Sequence, residues 1–293
     1  MAWAEVSLSI PRELVDRAET ALEAQGALAI TLQDNADDPV LEPAPGTAPL
    51  WPVVRVRGLF QNDVNRGEVS AVLLRLPGIT RPDDLAWREI ADQDWARAWM
   101  DRFQPMQFGE RLWIVPSGMQ APADAAAVIL HLDPGLAFGT GTHPTTALCL
   151  QWMDGYAFEG QTVVDYGCGS GVLGIAAALK GARRAVCVDH DPQALEATAD
   201  NATRNGVAQR IVCQAPDTYH EDEVDVVLAN VLAGPLIELA PVLQASLRAG
   251  GQLVLSGILE EQAHDVAQAY RGRCGELDVM AQDGWVRLHG TAS

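Results

Sequence analysis

One heptapeptide constrains the fold of this 293-residue chain more than any other segment: Asp165-Tyr-Gly-Cys-Gly-Ser-Gly171. It follows a short β-branched run, Thr162–Tyr166, and precedes an apolar helical stretch, Val172–Lys180, closed by Gly181. A strand, a glycine-rich turn and a helix in that order make the corner where an open α/β sheet holds a nucleotide-type ligand. Glycines let the backbone turn sharply and approach the ligand with no Cβ in the way. The spacing argues against the dinucleotide fingerprint G-x-G-x-x-G, because the third glycine is Gly171 and Val172 stands where that pattern needs a small residue. A tight β–α turn without a ligand is the bland alternative.

The chain beyond residue 160 repeats this alternation. Arg184–Val188, Ile211–Cys213, Val224–Leu228 and Gln252–Ser256 read as strands. Asp191 and Pro192 form an N-cap and first-turn pair for a helix running to Asn205, and a second helix lies between Pro235 and Leu247. Such alternation predicts a mostly parallel, doubly wound sheet. Glu276–Gly290 reads as a hairpin at its edge. Residues 1–85 differ. A strand at Ala4–Ile10, a helix over 11–25, strands at Ala27–Leu32 and Trp51–Phe60 and a mostly helical Asn62–Leu76 predict a smaller α+β domain of ferredoxin-like kind. Asp34–Thr47 is acidic and Pro-rich and reads as a surface loop. Trp87, Ala91, Trp95, Trp99 and Phe103 recur every four residues, which predicts one helix over 84–103. Arg111–Val115 and Ala127–His131 read as strands. The expected organisation is an α+β domain at 1–85, a linker helix and connecting strand at 86–125, and the α/β domain at 126–293.

Three further constellations carry chemistry. Asp189 follows the strand Ala185–Val188 by one residue, where a carboxylate can accept both ribose hydroxyls of a nucleoside. Taken alone, it would be a strand-end turn residue. The loop Leu136–Thr146 holds two glycines, four hydroxyls and His143 before a helix that begins near Ala147. Amides and hydroxyls at a helix N-terminus can hold a carboxylate, and Thr145 or Thr146 can also cap the helix. His143 has no partner cluster that would make it a metal ligand, so no metal is expected. Asn230 directly follows the fourth strand of the alternating half, at the carboxyl end where open α/β sheets place their sites. Its amide can accept from an amine.

The pattern Asp-x-Gly-x-Gly-x-Gly resembles motif I of class I methyltransferases that use S-adenosylmethionine. The segments AFGTGTHPTT, DYGCGSGVLGIAAA, VDHDPQAL and LANVLAGPL together resemble the ribosomal protein L11 methyltransferase family, as does the stretch QDWARAWMDRFQPMQFGERLWI. The resemblance covers about 90–293, and the first 85 residues match in length and place. It implies a Rossmann-like class I methyltransferase domain at the C-terminus and a substrate-recognising domain at the N-terminus. It implies methyl transfer from S-adenosylmethionine to lysine side chains and the N-terminal α-amine of the large-subunit stalk-base protein. By position it makes Thr146, Gly167, Asp189 and Asn230 cofactor contacts, and the loop argument adds Gly169 and Phe138. Asn230 and the 142–146 loop would orient the acceptor amine. The family often has Leu-Gly where this chain has Tyr166-Gly167. Methyltransferases acting on amides or adenine often carry Asn/Asp-Pro-Pro-Tyr where this chain has Asn230-Val-Leu-Ala233, which makes those substrates poorer fits. The alternatives are a class I methyltransferase for another protein or a small amine, and a binding module without turnover.

Composition narrows the partners. Asp and Glu number 39 against 20 Lys and Arg, a net charge of -19, which disfavours direct contact with nucleic acid or an anionic membrane. Residues 1–50 hold nine acidic residues against Arg12 and Arg17, a balance that would attract a lysine-rich protein or serve solubility alone. The five cysteines form no CxxC pair, and no apolar run approaches the ~18 residues of a membrane helix. The expectation is a cytoplasmic monomer.

Overall fold

The computed structural model describes residues 3–34, 51–79, 81–90, 104–133 and 143–293. Contacts divide the chain into two compact units, Met1–Ala98 and Trp99–Ser293.

The first unit runs β1 (Trp3–Pro11), α1 (Val15–Ala24), β2 (Ala29–Asp34), β3 (Val53–Gln61), α2 (Arg66–Leu73) and β4 (Ala86–Ile90). Its sheet has the order β2-β3-β1-β4, with β3 antiparallel to both of its neighbours. That is the split βαβ of a ferredoxin-like fold. Alternation explains it. Ala4, Val6, Leu8 and Ile10 of β1 are buried, and the last three pack with Val54, Val56 and Phe60 on Val15, Ala18, Leu22, Val69 and Leu73 of the helices. On the solvent side Glu5 pairs with Arg88 at 2.7 Å.

Ala86–Ile90 corrects the expected helix over 84–103: it is a strand, with Trp87 opposite Val6. The Trp87 indole donates to Ser70 Oγ at 3.0 Å and lies 6.1 Å from the Phe60 ring. Pairing satisfies the backbone groups of β1 that would otherwise form an open edge, which outweighs the four-residue stripe. Ala91, Trp95, Trp99 and Phe103 lie outside the described residues, as does nearly all of the acidic 34–47 loop.

The second unit contains β5 (Met106–Phe108), β6 (Leu112–Val115), β7 (Val128–His131), α3 (Pro144–Gly155), β8 (Thr162–Tyr166), α4 (Val172–Leu179), β9 (Arg184–Val188), α5 (Pro192–Arg204), β10 (Ile211–Gln214), β11 (Val224–Asn230), α6 (Ala233–Ser246), β12 (Leu247–Leu259), α7 (Ala263–Cys274), β13 (Asp278–Gln282) and β14 (Trp285–Thr291). Among the described residues, β8–β14 form a seven-stranded sheet in the order β10-β9-β8-β11-β12-β14-β13, and β5–β7 form a separate short sheet. Five strands are parallel, and the β13–β14 hairpin closes one edge antiparallel, as the alternation predicts. The chain winds outward in one direction from β8 and in the other from β11. The junction of those two strands is therefore the topological switch point, where such sheets open a crevice.

Both faces of the sheet are covered. Val163, Leu228 and Val254 meet α3 and α4 on one side, and Val164, Val227 and Leu255 meet α6 and α7 on the other. Asp154, near the end of α3 and 5% exposed, accepts hydrogen bonds from the backbone N–H groups of Glu110 at 2.7 Å, Arg111 at 3.2 Å and Leu112 at 2.9 Å. This carboxylate ties the turn between β5 and β6 to the helix.

Candidate active site

β8 is buried along its whole length and ends in Asp165 and Tyr166. The chain then reverses through Gly167, Gly169 and Gly171, with φ of +74°, +53° and +76°, a region that side chains with a Cβ rarely adopt. Space demands glycine as well. A Cβ on Gly167 would sit 2.2 Å from Val231 Cγ1, and one on Gly171 would sit 2.7 Å from Thr198 Cγ2. The turn is pinned by Gly167 N–H and Cys168 N–H donating to the Val188 carbonyl, at 2.8 and 3.0 Å. Asn201 and Thr198 of α5 donate to the carbonyls of Ser170 and Gly169, at 2.9 and 3.1 Å.

Asp189, one residue past β9, faces this turn. Its Oδ2 accepts from Gly169 N–H at 2.9 Å and its Oδ1 from Asp191 N–H at 3.0 Å. A carboxylate has about four acceptor sites, so two backbone bonds orient it and leave capacity for two hydroxyls. Asp191 caps α5 by accepting from Gln193 N–H, as its position before Pro192 predicts.

Asp165 is fully buried beneath the turn and accepts from Gly174 N–H at 2.8 Å. Burial pushes its pKa up to about 7, opposed by the Gly174 bond and assisted by the Asp189 charge. An unfolded aspartate titrates near ~3.9. Between those values the folded chain binds the extra proton, so this group's contribution to stability is present at low pH and is lost as pH rises through about 7. Denaturant unfolding is therefore expected to show wild type losing stability relative to Asp165→Asn between about pH 4 and pH 7. Parallel pH curves for the two proteins would contradict this.

Across the switch point, β11 ends in Asn230, whose Nδ2 donates to Thr146 Oγ1 at 3.2 Å. Thr146 stands in the first turn of α3. The cap of that helix is His143 and neither threonine: its Nδ1 accepts from Thr145 N–H at 3.4 Å and lies 2.8 Å from Thr145 Oγ1. The reason is Pro144, whose fixed φ and missing N–H suit the first helical position and so place the cap one residue earlier. The His143 and Trp285 rings meet edge to face, with centroids 4.9 Å apart and planes at 72°. Burial lowers the His143 pKa.

Together these elements line a half-open cavity of about 1200 Å³, above the roughly 300–1,000 Å³ usual for one small ligand. Gly167, Gly169, Asp189 and Asn230 line it. Thr146 is 1% exposed and sits behind Asn230 as its hydrogen-bond partner, while the neighbouring Thr145 lines the cavity. Phe138 lies outside the described residues. Sequence reasoning missed the apolar wall formed by Val231, Leu232, Pro235, Leu239 and Trp285. The Val231–Leu239 part was within reach, since it directly follows Asn230. Trp285 had no local signal, because long-range pairing of β14 brings it there.

A family model described as "Ribosomal protein L11 methyltransferase (PrmA)" matches residues 2–293. A protein named ribosomal protein L11 methyltransferase from Pseudomonas putida is 52% identical over 292 residues, 99% of each chain. One of the same name from Pseudomonas aeruginosa is 51% identical over 292 residues, 99% of this chain and 98% of that one. The crystal structure of a ribosomal protein L11 methylase from Lactobacillus delbrueckii subsp. bulgaricus matches with a TM-score of 0.59 at 30% identity, over 65% of this chain and 100% of that chain.

Proposed function

The chain belongs to the ribosomal protein L11 methyltransferase family, and from that premise we propose that it transfers methyl groups from S-adenosylmethionine to amines of ribosomal protein L11, at lysine side chains and the N-terminal α-amine. The observation that carries this reading is one cavity with a glycine turn and an oriented carboxylate at one side and an amide with an apolar wall at the other.

The residues present fit the cofactor. The turn at Gly167 lines the cavity with bare backbone, where a Cβ would collide with Val231, and Asp189 is aimed beside it with acceptor sites to spare. When bound, the cofactor supplies a methyl group on a positively charged sulfur that departs without protonation. The protein's work is then alignment and desolvation, and alignment alone can supply a large part of a rate enhancement. Asp189 receives the ribose hydroxyls. Asn230, with its Nδ2 committed to Thr146, presents Oδ1 to an N–H of the acceptor and thereby points the nitrogen lone pair. The acceptor must first become neutral. A lysine ammonium has a pKa of about 10.4, and apolar walls such as Leu232, Pro235 and Leu239 lower it, so the proton leaves to water.

The cysteines of the described residues are free thiols, and no described helix is long and apolar enough to cross a membrane. A cytoplasmic setting accords with a ribosomal substrate. The acidic residues of the first unit would draw in a basic protein and speed encounter.

Asn230→Ala is expected to lower kcat about tenfold, the effect of losing one hydrogen bond of about 1.4 kcal/mol in the transition state. Unchanged kcat in steady-state assays would remove Asn230 from the reaction. The substrate is tested by incubating the chain with labelled S-adenosylmethionine and purified large-subunit ribosomal proteins. Label on L11 alone is expected, and label confined to other proteins would overturn the substrate.

A further inference from the structure

The cavity has an aromatic wall whose position suggests a task beyond excluding water. Trp285 opens β14 and is half-buried. Its placement follows from the register of three strands. Ser256 of β12 pairs with Asn230 of β11, and three residues later Leu259 pairs with Trp285 of β14. Between them the pairing shifts at Gly257, where φ is +87° and a Cβ would lie 2.3 Å from the Val231 carbonyl oxygen. The irregularity is thus pressed against the turn that follows Asn230. From the other side, the Trp285 indole meets His143, and His143 caps the helix whose Thr146 holds Asn230. Asp189 follows β9 while Trp285 belongs to β14, on opposite sides of the switch point. Trp285 therefore stands on the acceptor's side of the cavity and not on the nucleoside's.

The chemistry of that position is specific. An indole face attracts a cation within about 6 Å of the ring, most strongly where water is excluded. Methylated ammonium groups suit such a wall because an unmethylated ammonium is strongly hydrated. Burial lowers the pKa of the neighbouring His143 imidazole, which disfavours a like charge beside the indole.

We infer that Trp285 receives the methylated ammonium of the acceptor, holding mono- and dimethylated amines in the cavity between transfers and so setting how far methylation proceeds. The inference rests on the reading of this cavity as an amine methylation site. In each transfer the neutral nitrogen's lone pair forms the new N–C bond, and the electrons of the broken C–S bond stay on sulfur. The ammonium so formed gives a proton to water before the next transfer. A quaternary nitrogen has no proton to give, and the series ends there.

Two measurements on the full chain test this. The first compares binding of acetyl-trimethyllysine amide with its neutral isostere, in which carbon replaces the quaternary nitrogen, by calorimetry with S-adenosylhomocysteine present. Wild type should prefer the cation roughly five- to tenfold, Trp285→Leu should lose the preference, and Trp285→Phe should keep part of it. The second reads the products on L11 by mass. At equal total methyl transferred, Trp285→Leu should shift the distribution towards monomethylated amines. A purely structural role would lower the rate without moving either readout. Wild-type product distribution in Trp285→Leu, or equal preference for the cation in both proteins, would overturn the inference. If wild type itself transfers no methyl to L11, the reading of the cavity fails instead.

Discussion

Asp189→Ala is expected to weaken S-adenosylmethionine binding by about 100-fold or more, which corresponds to about 2.7 kcal/mol. Hydrogen bonds to a charged group are each worth about 1.5–3 kcal/mol, and the ribose offers two hydroxyls to this one carboxylate. The substitution also frees the N–H groups of Gly169 and Asp191, which Asp189 now accepts at 2.9 and 3.0 Å. The glycine turn therefore loses an anchor together with the proposed ribose contact. Asp189→Asn separates the two effects. It keeps one acceptor oxygen but sets an amide N–H₂ against one of the two backbone donors, so an intermediate affinity is expected. Calorimetric titration of folded variants decides the matter. Affinity within about threefold of wild type for Asp189→Ala would remove this residue from the binding site.

The second large effect is on stability. Asp154→Ala should lower the unfolding free energy by about 3–5 kcal/mol, because three backbone donors lose one buried, charged acceptor and each unmet donor costs about 1–3 kcal/mol before relaxation. No side chain of the β5–β6 turn replaces it. Gly109 lies so close that a Cβ there would be 2.4 Å from Asp154 Oδ2, which shows how tightly the turn is drawn onto the carboxylate. The Asp154 carbonyl also accepts from Lys180 Nζ at 3.0 Å, a bond that the alanine variant retains. At roughly 2–4 °C per kcal/mol for a unit of this size, thermal unfolding should drop by about 10 °C. A shift of less than about 2 °C would show that the three N–H groups find other partners. Asp154→Asn should fall between, since its single carbonyl oxygen can satisfy only part of the set.

That Gly167, Gly169, Asp189 and Asn230 share one cavity is legible in the sequence because each lies at or just beyond a strand's carboxyl end, and a parallel sheet sends those ends to one rim whatever the loops do. The same logic made β8 to β12 and the edge hairpin readable. The family resemblance makes Thr146 a ligand contact, and in the structure it is the buried hydrogen-bond partner of Asn230, a relation between residues 84 positions apart that no local spacing encodes. Trp285 is harder still, because its neighbours depend on a shifted register between β12 and β14. Two elements hide in the sequence for local reasons. Trp87 fits both a four-residue stripe and a two-residue alternation, and the open edge of β1 decides for the strand. The helix α7 buries only Val266, Tyr270 and Cys274, and Gly272 interrupts its last turn, so its apolar stripe is too thin to stand out.

The most direct test of the account is mass mapping of methyl groups on L11 after incubation with S-adenosylmethionine and either wild type or Asp189→Ala, each shown to be folded. Methyl increments on lysine side chains and the α-amine are expected with wild type, and near-complete loss of them with Asp189→Ala at a cofactor concentration that saturates wild type. Equal methylation by the two proteins would contradict the assignment of the cavity, and increments on no amine of L11 would contradict the reaction itself.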